Sequence, residues 1–128
     1  DSRQRTGESS MANKKALELL KQEDVKEFNK WVKERRGKGK DAVDLDDQNL
    51  GGLKLRNVDL SNAHLNGAIL RKTDLKGANL AHARLRQADL RGANLEGADL
   101  TGADLRRAKK KGAVWKKATL KDVRGMDD

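Results

Sequence analysis

The side chains able to do chemistry are few, and their spacing suits little of it. His64 and His82 are the only imidazoles, and the chain has no Cys. Thiol nucleophiles, thiolate-held metals and disulfides therefore do not arise. A zinc site would need several further ligands converging on one of the histidines. Asp44, Asn49, Asp59, Asp74, Asn79, Asp89, Asn94, Asp99 and Asp104 resemble a carboxylate array at first sight. Acid–base catalysis needs two such groups within reach of one substrate, whereas these are strung out along the chain. Gly67, Gly77, Gly92, Gly97, Gly102 and Gly112 recur without forming a G-x-G-x-x-G or P-loop signature. These residues imply no catalytic centre, no metal and no cofactor, and so no enzyme. Positive charge remains. Arg56, Arg71, Lys72, Lys76, Arg91, Lys109, Lys110, Lys111 and Lys116 supply groups that bind phosphate or carboxylate.

Composition limits what can position them. The 128 residues carry a net charge of +9, 38% are charged, and only 35% are hydrophobic. The aromatics are Phe28, Trp31 and Trp115. Such a chain ordinarily buries too little apolar surface to offset the entropy of ordering. No apolar run is long enough to span a membrane, and the N-terminus has no apolar core of a secretory signal. The expectation is a soluble, cytoplasmic protein whose folding depends on pattern.

Three regions differ in pattern. Residues 1–10 are polar, precede Met11, and read as a disordered expression leader. Residues 11–40 read as a helical segment. Leu17, Leu20, Val25, Phe28, Trp31 and Val32 share one helical stripe, but Lys21 and Asp24 would interrupt it. A break near 21–23 resolves the conflict and predicts helices at about 13–21 and 24–36. Asp24 and Glu27 suit a capping box, and Gly37 and Gly39 end the second helix. From about residue 41 to 123 the chain becomes periodic, leaving 124–128 as a tail.

The period is five. Leu fills 14 of the 16 slots from 45 to 120, with Lys110 and Trp115 as exceptions. In the register two residues earlier, from 43 to 123, Ala recurs in 11 of 17 places, with Thr73 and Val58 among the others. Five matches neither the 3.6 of a helix nor the 2 of a strand. Two apolar positions spaced by two lie on one face of an extended segment, so the chain must turn a corner once per unit to keep both inward. Right-angled corners close a square after four units. Successive coils then stack at the strand spacing of ~4.8 Å. Asp or Asn before each Leu is placed to bond the corner backbone, as Asx residues do in turns, and the recurring glycines are turn glycines.

The units AHL, ADL, ANL and ADL at 63–65, 88–90, 93–95 and 98–100 resemble the A(D/N)LXX repeat of the pentapeptide-repeat family. The resemblance implies an all-β solenoid, a right-handed quadrilateral parallel β-helix of about four coils. The preceding KQEDVKEFNKWVKERR is similar to the helical leader of bacterial members. It implies that Phe28, Trp31 and Val32 cap the first coil and protect its edge. Lys110, in an inward slot, predicts a bulge or a frayed last coil, because an unpaired buried ammonium is too costly. Trp115 is placed to plug that end, which is otherwise a homodimer surface.

Grouping every fourth unit assigns charge to walls. The wall of Leu45, Leu65, Leu85 and Leu105 sums to 0, and that of Leu50, Leu70 and Leu90 to +5. The next sums to +3 and the last to −2. Arg71, Arg91 and Lys111 should stack as a column on the most basic wall, flanked by Lys72, Lys109, Lys110, Arg56, Lys76 and Lys116. Two functions follow: a rigid, non-enzymatic scaffold for an unknown protein partner, or a binder of nucleic acid or another polyanion. The family also includes mimics of duplex DNA that act on gyrase. A net charge of +9 and a short rod argue against that role here.

Overall fold

The computed structural model describes residues 7–40 and 42–127, with side chains from residue 13 onward. Two helices come first, α1 over Gly7–Lys21 and α2 over Val25–Gly37. Helix α1 starts earlier than the expected residue 13 and takes in residues 7–10 of the segment read as a disordered leader. Residues 1–6 lie outside the described residues. The expected break is present: Glu23 adopts φ 59°, and the amide of Asp24 closes back to the Leu19 carbonyl at 3.1 Å. Asp24 caps α2 by accepting from the Glu27 amide at 3.2 Å. The reciprocal half of a capping box is lost because the Asp24 amide already serves α1. Gly39, at φ 69°, ends α2, and the Lys40 amide returns to the Arg35 carbonyl.

From residue 44 the chain pairs with itself at a separation of twenty. Among the described residues there are 13 parallel bridges, from Asp44↔His64 to Asp104↔Arg124. They fall into four columns, one per wall, as a four-sided coil requires. No continuous strand forms among these residues, which corrects the expectation of extended β-segments. Each unit has room for one bridged residue before the corner takes over. The second corner residue is left-handed at all sixteen positions from 47 to 122. The glycines Gly52, Gly67, Gly77, Gly92, Gly97, Gly102 and Gly112 hold it most easily.

Every amide from 81 to 100 has a defined partner, and the second coil follows the same scheme. The Leu65 amide donates up to Arg84 at 2.7 Å, while the His64 amide donates down to Val43 at 2.9 Å. The Asx prediction holds at each of the nine residues. Asp44, Asn49, Asp59, Asp74, Asn79, Asp89, Asn94, Asp99 and Asp104 all accept, through Oδ1, from the amide two residues on. The thirteen leucines in the five-residue slots from Leu45 to Leu105 are all buried, beside a column of Ala. Thr73 replaces one Ala, and its buried hydroxyl donates to the Leu50 carbonyl at 2.9 Å, removing the cost of burying it.

The helices pack on the first coil. Ala16, Leu19, Leu20, Phe28 and Val32 are buried, and Leu17, Val25 and Trp31 pack partly against the same core. Phe28 meets Trp31 at 5.9 Å between ring centres, and Arg35 lies over the Trp31 ring at 5.0 Å.

The register also runs past the expected boundary at 123. Arg124 bridges Asp104, and its carbonyl accepts from the Leu105 amide at 2.7 Å. Neither a bulge nor fraying occurs at Lys110, because Lys109 and Lys111 keep the ladder to Leu90 and Gly92. The Lys110 ammonium instead donates to the Gly125 carbonyl at 2.7 Å. A side chain at Gly125 would strike the Arg106 backbone at 2.5 Å, so only glycine lets the chain approach there. Trp115 is partly buried in the same last layer.

Candidate anion-binding walls

Two walls carry the sequence-predicted basic residues, and ion pairs divide them. Arg71, Arg91 and Lys111 do share one register, since Ile69, Asp89 and Lys109 two residues earlier bridge in series. Arg91, however, is folded onto Asp89, with Nε to Oδ1 at 2.8 Å and Nη2 to Oδ2 at 2.6 Å. That guanidinium holds the Asp89 carboxyl down at about 2, with Arg71 adding a smaller field. Arg56 is tied to Asp74 at 2.7 Å, and Lys76 faces Glu96 at 3.6 Å. With Lys110 on Gly125, four of the nine predicted cations are engaged within the chain. Lys72, Lys109, Lys111 and Lys116 make no ion pair among the described residues and are exposed.

A second cationic cluster lies on the wall of Leu65, Leu85 and Leu105, where the charge sum was 0. That sum averages two opposite halves. Asp44, Asp46 and Asp47 sit on the first coil, whereas Arg84, Arg86, Arg106, Arg107 and Arg124 sit on the later ones. Arg84, Asp104 and Arg124 bridge in series. The Asp104 carboxylate accepts from Arg86 Nε at 2.8 Å and from Arg106 Nε and Nη2 at 2.9 and 2.8 Å. Those bonds, that of Arg106 foremost, hold its carboxyl well below the usual aspartate range against the opposing effect of burial. Asn66, Arg84, Arg86, Asp104, Arg106 and Arg124 line a hollow of about 290 Å³. Arithmetic at twenty-residue spacing, applied coil by coil rather than summed per wall, finds this cluster in the sequence.

The remaining candidate chemistry disperses. His64 is half-buried in a bridged column and His82 is exposed on another wall. No group of three metal-ligating side chains gathers among the described residues. None of their helices is long and apolar enough to cross a membrane.

Side chains of the helical segment serve three of the four walls of the first coil. A middle-coil amide such as that of Asp74 donates to the coil before it. In the first coil that partner is missing. The Asp44 amide donates instead to Asn13 Oδ1 at 3.1 Å, Lys54 to Glu23 Oε2 at 2.5 Å and Asp59 to Asn29 Oδ1 at 2.8 Å. Asn29 Nδ2 also donates to the Asn57 carbonyl at 3.0 Å, and Arg36 pairs with Asp59 at 3.3 Å. Three polar side chains thus stand where backbone carbonyls would be.

This chain is similar to several solved structures. HetL, a pentapeptide repeat protein involved in heterocyst differentiation regulation in Nostoc sp. strain PCC 7120, aligns with a TM-score of 0.65 and 37% identity. The alignment covers 67% of this chain but 40% of HetL, so the chain spans less than half of that relative. The pentapeptide repeat protein alr5209 from Nostoc PCC 7120 aligns at 0.56 and 40% identity, over 64% of this chain and 70% of the other. Among curated proteins none matches. The family model for pentapeptide repeats matches residues 41–77 and 68–107, with eight copies. It stops short of Lys110 and Trp115, where the Leu slots fail, although the ladder itself continues. Bridges twenty residues apart, stacked Leu and Ala, and this match together make the chain a member of the pentapeptide-repeat family, whose proteins fold as right-handed β-helices.

Proposed function

We propose that this protein is a non-enzymatic scaffold: a β-helix of about four coils, capped by α1 and α2, whose walls dock a protein partner. The observation that carries this reading is that Asn13, Glu23 and Asn29 satisfy first-coil amides on three of the four walls. It supports a rigid column with side walls left for display, because a covered edge does not pair with other chains. The Asx side chains on those walls are spent on the corners.

A second reading is polyanion binding through the basic edge of Arg71, Lys72, Arg91, Lys109, Lys111 and Lys116. Its support is the exposed lysines Lys72, Lys109 and Lys111 on one wall and Lys116 on the next. Affinity capture from nuclease-treated lysate tests both readings. The scaffold reading expects a protein partner that survives nuclease and is lost when one wall is substituted but not the others. Loss of every partner on nuclease treatment would favour the polyanion reading. That reading is then checked by anisotropy with a short duplex, where log K should fall with log salt in proportion to the phosphates contacted.

A further inference from the structure

We propose that the arginine wall around Asp104 binds a small ligand bearing linked phosphoryl groups, an oligophosphate or the phosphate chain of a nucleotide. The site is built rather than incidental. Asp104 sits between Arg84 and Arg124 in one bridged column, yet its bonds go to Arg86 and Arg106, two residues further along the chain than the bridged positions. The carboxylate therefore orients two guanidiniums and leaves Arg84 and Arg124 flanking them. Arg86 spends only Nε on Asp104, so its two terminal nitrogens remain as a fork. Among the described residues that line the hollow, four guanidiniums surround one carboxylate. All are arginines, whose planar donors suit bidentate contact with phosphate. Successive coils place them ~4.8 Å apart along the wall, so one ligand with linked phosphoryl groups reaches two levels.

An acidic protein segment fits less well. The lining of Asn66, Arg84, Arg86, Asp104, Arg106 and Arg124 holds no apolar or aromatic side chain, and protein interfaces take most of their energy from such anchors. A compact, charge-dense anion needs none. For the same reason no base is read, and free and nucleotide-borne phosphates should bind alike.

Calorimetry with inorganic tripolyphosphate at low salt tests this. Binding should occur at one site and weaken about tenfold or more in Arg84→Gln/Arg124→Gln, as loss of charged hydrogen bonds predicts. Both side chains are exposed, so the melting temperature should not move. Lys117→Gln/Lys121→Gln, which removes equal charge from exposed positions on other walls, should leave affinity unchanged. ATP should match tripolyphosphate through the same arginines, and much tighter binding of ATP would identify a nucleotide as the source. Absence of binding, or equal losses from both variant pairs, overturns the site. A DNA duplex that binds more tightly than tripolyphosphate and is lost with the same arginines overturns it too, in favour of a nucleic-acid backbone.

Discussion

Leu45, Leu50, Leu55 and Leu60 occupy the same slot of the same repeat as Lys110, Trp115 and Leu120, at opposite ends of the column. The first four are buried beneath α1, α2 and the second coil, whereas Lys110 and Trp115 are half-buried and Leu120 is 36% exposed. Their backbone geometry is the same, since the corners at Asp47 and Lys117 share φ near 60°. What differs is the layer beyond. In a solenoid a slot is inward by its place in the unit, but it is buried only when a neighbouring layer covers it. The helices and the turn between them supply that layer at one end, with Phe28 and Val32 for packing and Asn13, Glu23 and Asn29 for hydrogen bonding.

Removing the covering layer should have the largest effect. Phe28→Ala with Trp31→Ala should cost about 3–5 kcal/mol, the range for truncating buried aromatics, measured by urea unfolding. An unchanged midpoint would show that α2 does not cover the first coil. Next comes the direct contrast between the two ends. Leu60→Ala should lose about 2–5 kcal/mol, whereas Leu120→Ala should lose under about 1 kcal/mol. Equal losses would mean that both ends are equally covered in solution.

A finer test separates packing from hydrogen bonding at the covered end. Asn29→Ala leaves the Asp59 amide and the Asn57 carbonyl without their partner and should cost about 1–3 kcal/mol. Asn29→Asp keeps the acceptor for Asp59 and should recover part of that loss. Hydrogen exchange at the Asp59 amide should quicken in the alanine variant and not in the aspartate one.

The smallest effect is expected from pH, and it belongs to the other end. The Asp89 and Asp104 carboxyls lie below the ordinary value of 3.8 in the folded chain, held by Arg91 and by Arg106 with Arg86. A lowered folded value means that the unfolded chain takes up protons first as acid is added. Their stabilisation is therefore complete above the ordinary value and fades as pH falls through it toward about 2 for Asp89. Melting temperature followed from pH 6 downward should drop in that window, and Asp104→Asn should flatten the drop. Exposed ion pairs are worth little, so the change should be modest.

Much of this was legible in the residues because the repeat is local. Leu every five residues, Ala two before it and Asx one before it specify one unit, and each does its work within that unit or directly against its copy. Asp24, Gly37 and Gly39 are equally local, acting through amides three to five residues away. The arginine wall was hidden only by summation, since adding charge along a wall cancels Asp44, Asp46, Asp47 and Asp104 against Arg84, Arg86, Arg106 and Arg107. Nothing in the pattern of α1 marks Asn13 as special, because its partner, the Asp44 amide, lies on a different element.

By itself, then, the sequence determined the coil: its period, its four sides, its inward column and its corners, since each rests on steric and hydrogen-bonding preferences of a few adjacent residues. The tertiary structure alone decided how the coil begins, where Lys110 sends its charge, and which guanidiniums Asp104 claims. Those outcomes depend on which side chains the stacking brings within a few ångströms of one another. Hydrogen bonds and ion pairs select among such neighbours by distance and direction, which repeat spacing leaves open.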